Sequence, residues 1–456
     1  MTDSAYPAIY DFSLLPYALG DVLTWNIQTA IRAEDAGCSR CDIYLCVDAS
    51  HPANVYQRDL VRPENCELFF NELFGAFATH PILGNIHIFR SREALLDHLR
   101  LMPFTNEASF YAVEDYKSTV AQADDDAALQ NYFLKYVQSH VQINDFAARN
   151  GRIPLLRGSR GCEPDIERLN EVLLAGHHTV VIHPRLRKLD AGYAGEHTHH
   201  RDSDFLEWYE FLRKSATRRS DVKFVVLGRI HEKPLRLLRL PNVMSLRALG
   251  LGLGHELTLM LRADLFIGTS SGFAAFANFS TIPYLVTRMN AASCTAYAIP
   301  EGSSRLPFAT AQQHLVYGEE TSAALAAMLE RELPSRAVPA AVRPSSDPVD
   351  VTAFSAALKP KNNSAALSSR FRVDREYADD ETGYLLWPRI QDALLAFELG
   401  DIDKGSGLLR RILANFPSLK SRFPQLIRDY PIKYSEIYRN FGLGKLLRPL
   451  TNKKRN

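Results

Sequence analysis

The spacing of apolar and polar positions divides the chain into two stretches in which short apolar runs alternate with segments of helical length, as in α/β domains. In the first stretch, residues 41–47 (CDIYLCV) and 85–89 (NIHIF) predict buried strands, with a helix over 25–36 before them and another over 92–101 after. In the second, the runs at 179–183 (TVVIH), 223–227 (KFVVL), 242–245 (NVMS), 264–268 (DLFIG) and 283–287 (PYLVT) are separated by helix-length segments. Strands of a parallel sheet are covered on both faces, so they read as continuous apolar runs rather than as alternation. The expected fold class is α/β, with two Rossmann-like domains over 1–160 and 161–333, joined within 150–163 where Gly, Pro and Arg concentrate.

Beyond them the pattern changes. Prolines at 334, 339, 344, 348 and 360 among many Ser and Ala predict a linker over 334–380. Within 381–456, segments 387–397 and 404–416 can pair as a small helical hairpin around Gly400-Asp401, resembling one tetratricopeptide-like unit that must dock elsewhere to bury its face.

Length and composition narrow the classes. A chain of 456 residues, 46% hydrophobic and 23% charged, can bury several cores and is neither disordered, collagen-like nor a coiled-coil rod. The net charge of +1 conceals an asymmetry, because residues 401–456 hold 13 Lys/Arg against 4 Asp/Glu and leave 40 against 48 for the rest. That excludes a uniformly basic nucleic-acid-binding surface and places a basic segment at the C-terminus. Tyr430, Tyr434, Tyr438 and Phe441 interleave with its cations. Such a tail is either a peripheral contact with an anionic membrane or a solvated helical face. No apolar run approaches 18 residues, and the N-terminus carries Asp3 and Asp11 rather than a basic patch, so neither a membrane span nor a secretion signal is expected. Six cysteines are too few for a disulfide framework at this length, which fits a reducing, cytoplasmic setting.

Three constellations could carry chemistry. At 266–276 (FIGTSSGFAAF) an apolar strand runs into Thr269, Ser270, Ser271 and Gly272 and then into an Ala-rich helix. The N–H groups of a helix start lie at the positive end of its dipole and bind phosphate, and a Gly lets the ligand approach the backbone. The plainer reading makes Ser270 or Ser271 an N-cap. The second constellation is His183-Pro-Arg185-Leu-Arg187-Lys188, with Gly228-Arg229 after the next strand. Guanidinium forks suit a pyrophosphate, while a solvated charge run is the alternative. The third is Leu19-Gly20-Asp21-Val22-Leu23, where Asp21 is either a helix cap or a carboxylate placed to deprotonate an acceptor hydroxyl.

Taken in order, the GDVL segment, the strand ending in a basic loop, FIGTSSG before a helix and the following IPYLV strand resemble glycosyltransferases of the two-domain B fold. GDVL and the overall order are similar to the bacterial lipopolysaccharide heptosyltransferases. The His-x-Arg of 183–185, Arg201-Asp202, Leu227-Gly228 and ADLFIGTSSG are closer to an uncharacterised bacterial glycosyltransferase-like group and, distantly, to fucosyltransferases with an H-x-R motif. The resemblance covers roughly residues 10–295. It implies two domains facing a cleft and transfer of a sugar from a nucleotide-diphosphate sugar to a hydroxyl of a glycan, lipid-linked or protein acceptor. It places Asp21 as catalytic carboxylate and His183, Arg185, Arg187, Gly228, Arg229, Thr269, Ser270, Ser271 and Gly272 at the donor. Gly20, Arg201 and Asp202 fall on the acceptor side or in the cleft. No metal or other cofactor is implied, and the reaction would invert the anomeric centre. Heptosyltransferases carry Asp-Thr-Gly and a nearby His where this chain has Ser-Ser-Gly followed by Phe-Ala-Ala, which separates it from an ADP-heptose donor.

Other signals are weaker. Asp124-Asp125-Asp126 lies in a polar run before a helix and suits N-capping better than a metal. Cys38-Ser-Arg-Cys41 lacks the second pair a zinc site needs, and His197, His199 and His200 lie in a loop without a carboxylate at ligand spacing. Gly250, Gly252 and Gly254 imitate a dinucleotide fingerprint without its full spacing. Two other classes remain: a nucleotide-sugar epimerase of the same fold, which needs an acid/base pair in the cleft, and a non-catalytic scaffold that uses the C-terminal appendage.

Overall fold

The computed structural model describes residues 5–334, apart from Asp59, Thr105, 123–125, 138–139, 186–200, 230–232 and Pro234, together with Gly405 and Gly407. The expected linker, hairpin and basic tail otherwise lie outside the described residues, as do Arg187, His197, His199 and His200.

The strands are β1 (Ala5–Asp11), β2 (Arg40–Cys46), β3 (Leu83–Phe89), β4 (His178–His183), β5 (Val222–Val226), β6 (Val243–Met244), β7 (Leu265–Thr269), β8 (Tyr284–Met289) and β9 (Gln313–Tyr317). Helices α1 (Leu19–Asp35), α2 (Cys66–Phe77), α3 (Arg92–Leu101), α4 (Glu107–Ala121), α5 (Asp126–Tyr136), α6 (His140–Asn150) and α7 (Glu163–Leu169) precede β4. They are followed by α8 (Phe205–Arg218), α9 (Leu235–Leu238), α10 (Leu253–Met260), α11 (Gly272–Asn278), α12 (Ala291–Ala296) and α13 (Ser322–Glu332). One sheet has the order β1-β2-β3 and the other β6-β5-β4-β7-β8-β9. The pairings β1–β2, β2–β3, β5–β6, β7–β8 and β8–β9 are parallel. Counted along the chain, the larger sheet is ordered 3-2-1-4-5-6, the arrangement of doubly wound nucleotide-binding folds. The protein is thus α/β, with parallel strands as the apolar runs imply.

The chain forms two compact units that do not follow chain order: one comprises 1–181 and 251–319, the other 182–250 and 320–456. In the first, β1 carries Pro7, which has no N–H to donate. An edge strand tolerates this, and β1 pairs on one side only, from Ala5 opposite Arg40 to Asp11 opposite Cys46. α1 is surrounded: eleven of its residues, from Val22 to Ala33, are buried. Trp25 on α1 meets Tyr10 of β1 edge to face, with ring centroids 5.2 Å apart, and Phe77 of α2 closes the cluster 5.1 Å from Tyr10. α2 and α10 come together at glycines, since a Cβ on Gly75 would sit 2.7 Å from the Gly254 nitrogen. Gly254 therefore serves a helix contact, and Gly250 (φ 81°) a left-handed turn, rather than a phosphate loop.

In the second unit α8 packs on α13. Buried Trp208 donates its indole N–H to Glu320 at 3.0 Å, and Glu207 accepts the Ser322 N–H at 2.6 Å at the start of α13. Arg219 forks onto Asp221 through two 2.9 Å bonds. Among the described residues no helix is long and apolar enough to cross a membrane.

Candidate functional site

The first unit brings two of the sequence-derived elements together. β1 delivers the chain through residues 12–18 to the start of α1, and β7 delivers it through Ser270 and Ser271 to the start of α11. These two helix starts touch. A Cβ on Gly20 would lie 3.5 Å from the Gly272 Cα, and one on Gly272 would lie 2.7 Å from the Leu19 Cβ. Gly272 is thus a glycine because the start of α1 leaves no room for a Cβ, whereas Gly20 would take one at ordinary van der Waals distance. Asp21, half-buried, occupies the next position in the first turn of α1.

The turn after β7 is polar and largely enclosed. Ser271 is the N-cap of α11, its Oγ accepting the Ala274 N–H at 3.3 Å. The capping role weighed for this serine is therefore real, and the first-turn N–H groups beyond it have no acceptor within the helix. Buried Ser270 shares a 3.0 Å hydrogen bond with the Tyr297 hydroxyl. Buried Thr269 has a hydroxyl with no hydrogen-bond partner among the described residues. Burial, and then the Asp21 charge in the first turn of α1, hold the Tyr10 hydroxyl well above its ordinary range.

The second unit holds the cationic candidates. His183 ends β4 and is buried. Arg185 is also buried and donates to Asp202 at 2.9 Å, while its N–H meets Ser203 Oγ at 3.1 Å and its carbonyl accepts the Ser203 N–H at 2.7 Å. The resemblance puts Arg185 at the donor and Asp202 on the acceptor side or in the cleft; in the structure the two side chains are paired with each other. Arg201 beside them is half-buried. Gly228 is buried in the left-handed region (φ 94°), a conformation that favours glycine, and Arg229 is half-buried. Lys233, which sequence reading passed over, is buried and donates to the Pro184 carbonyl at 2.7 Å.

Sequence reading also missed a charged cluster at the C-terminal end of the three-stranded sheet. Buried Asp11 accepts the Ser13 N–H at 2.9 Å, the Tyr116 hydroxyl at 2.9 Å and Arg92 Nε at 3.2 Å, and Arg92 reaches Ser13 Oγ as well. Asp48 accepts the Arg92 N–H at 3.0 Å and pairs with His51. Though burial opposes it, the N–H groups of Arg92 and Ser50 and the His51 ring hold the Asp48 carboxyl below its ordinary value. Asp11 and Arg92 are distant in sequence, so no local spacing announces them.

No family model matches the sequence, and no curated protein matches it. Among solved structures the chain is similar to E. coli ADP-heptose lipopolysaccharide heptosyltransferase II, at 12% identity over 72% of this chain and 98% of that one, with a TM-score of 0.45. A glycosyl transferase family 9 protein from Veillonella parvula is 10% identical over 70% of this chain and 88% of that one, with a TM-score of 0.40. E. coli heptosyltransferase WaaC with ADP is 12% identical over 72% of this chain and 100% of that one, with a TM-score of 0.39.

Proposed function

We propose that the protein is a glycosyltransferase of the two-domain B fold that moves a sugar from a nucleoside-diphosphate sugar to an acceptor hydroxyl, without a metal and with inversion. One observation carries the reading: the start of α1, with its carboxylate Asp21, abuts the start of α11, with its polar turn Thr269–Ser270–Ser271–Gly272, inside a single compact unit. The turn follows the C-terminal end of a strand in an open α/β sheet, where such folds bind ligands. Amides fixed there stabilise the charge that develops on a departing diphosphate.

In this mechanism Asp21 takes the proton of the acceptor hydroxyl as its oxygen forms a bond to the anomeric carbon. The bond from that carbon to the phosphate oxygen breaks, and its electron pair leaves with the nucleoside diphosphate. On the resemblance alone, His183, Arg185, Arg187, Gly228 and Arg229 are also proposed as donor residues. A glycan or lipid-linked acceptor is proposed, with the basic segment 430–456 supporting contact with anionic lipid, which liposome flotation with and without that segment would reveal.

The reading is tested by thermal shift with UDP, GDP, ADP, dTDP and CDP, followed by release of nucleoside diphosphate from the matching nucleotide sugars. At least one diphosphate should raise the melting temperature. Asp21→Asn should keep that shift and lower release by about 100-fold or more. If no diphosphate shifts the melting temperature, the donor assignment is wrong. Conversion of a nucleotide sugar into an isomer without release would establish the epimerase instead.

A further inference from the structure

A carboxylate that removes a proton in a displacement must be held to a fraction of an ångström, and a carboxylate delivered by a loop gains that precision only from groups that fix the loop. Asp21 is delivered by residues 12–18, between β1 and α1. The first half of this connection closes on itself, the N–H groups of Leu14 and Leu15 meeting the Asp11 carbonyl at 2.9 and 2.8 Å. The Tyr10 hydroxyl donates to the Pro16 carbonyl at 2.6 Å, and the Tyr17 ring stacks on Phe12 with centroids 4.1 Å apart. Tyr17, two residues before α1 begins, is held from outside the connection: its N–H donates to Gln57 Oε1 at 2.7 Å, and its carbonyl accepts from Gln57 Nε2 at 3.4 Å.

Gln57 lies 40 residues further along the chain and is buried. Its own backbone is anchored, the N–H donating to Asn54 and the carbonyl accepting from Leu60 and Val61. One carboxamide thus offers Tyr17 the donor and acceptor that a neighbouring strand would offer, from a turn that is itself fixed.

We infer that Gln57 is a positioning residue for Asp21, its carboxamide gripping both backbone groups of Tyr17 so that the first turn of α1 presents the carboxylate in one place. This rests on the glycosyltransferase reading above. A glutamine that only satisfied the Tyr17 backbone would contribute to stability and leave the turnover of folded protein unchanged.

Gln57→Glu separates the two roles. The ionised side chain still accepts the Tyr17 N–H but turns a second oxygen toward the Tyr17 carbonyl, whereas the protonated side chain is again both donor and acceptor. Burial raises a carboxyl's pKa, which brings the conversion into a workable range. The experiment measures release of nucleoside diphosphate from whichever of UDP-glucose, GDP-mannose, ADP-glucose or dTDP-glucose the wild type turns over, well below the melting temperature of either protein. At pH 7.5 the variant should lose at least ten-fold in kcat with KM within two-fold, and the variant-to-wild-type ratio should climb as the pH falls to 5.5. Gln57→Met, which breaks both bonds without adding a charge, should show the same loss in kcat at every pH and gives the answer if Gln57→Glu does not fold. Wild-type kcat in a folded variant overturns the positioning role alone. A wild type that turns over no nucleotide sugar overturns the reading beneath it and the role together.

Discussion

Gly272 and Leu19 stand so close that a Cβ on the glycine would fall 2.7 Å from the leucine's Cβ and 3.0 Å from the Gly20 nitrogen. The Leu19 Cγ, 2.9 Å away, could turn aside, but the leucine's Cβ and the Gly20 nitrogen do not move with side-chain rotation, so the clash remains. Gly272→Ala should therefore destabilise the protein by about 1–3 kcal/mol, the usual range for overpacking. At Gly20 an added Cβ would meet Gly272 at an ordinary 3.5 Å. Gly20→Ala should be nearly silent in a denaturant melt, and equal effects for the two variants would mean the helix starts are not packed as described.

Ser271 has a structural role as the N-cap of α11 and a proposed functional one beside a diphosphate, and a single substitution can part them. Aspartate caps a helix about as well as serine. Its carboxylate would repel a bound diphosphate. Ser271→Asp should thus keep the melting temperature while abolishing the shift produced by nucleoside diphosphates, whereas Ser271→Ala should cost about 1 kcal/mol of stability. A Ser271→Asp protein that binds diphosphate normally would remove this turn from the donor site.

Legibility in the sequence followed how local each feature is. Helix α3 coincides with the segment read from periodicity, and β4 and β5 lie within a residue or so of the apolar runs. β1 escaped because AYPAIYD contains a proline, which argues against a strand until the strand is known to lie at an edge. β9 escaped because QHLVY is short and mixed in polarity. The turn at Ser270–Gly272 and the GDVL segment were each readable alone, but their contact depends on the packing of α1 against α11. The Asp11–Arg92–Tyr116 cluster and the Gln57–Tyr17 grip join residues far apart in the chain, and no spacing rule reaches them.

Arg185 and Asp202 form an ion pair with side chains only 7% and 5% exposed. Removing one member of such a pair strands the other charge in the interior, at about 3–5 kcal/mol. Arg185→Ala should lower stability by that order, so lost diphosphate binding in this variant does not by itself identify a phosphate ligand. The double variant Arg185→Met/Asp202→Leu should recover much of the loss, as chemical denaturation of the two variants and the wild type can show. A single variant as stable as wild type would mean the pair is not buried in solution.

Stability should also fall with acid through two histidines of the first unit. Burial, reinforced by Arg157, pulls the His80 pKa down to about 3, and burial pulls that of His140 down to about 4. His80 is held neutral by its bonds: Nδ1 accepts the Ile82 N–H at 3.3 Å, which leaves Nε2 to donate to Thr29 Oγ1 at 3.0 Å. His140 lies against the rings of Phe279 and Tyr297. Because both folded values lie below the ordinary value near 6.5, the unfolded chain binds protons first as the pH drops. Their contribution is complete above about pH 7 and is lost progressively from about pH 6.5 toward 4 and 3. For His140 the loss is roughly 3 kcal/mol, at about 1.4 kcal/mol for each pH unit between the two values. Melting temperatures from pH 7.5 to 4.5 should fall steeply in the wild type and less steeply in His140→Gln, whose neutral side chain takes up no proton. Identical slopes for the two proteins would show that His140 already carries its charge in the fold.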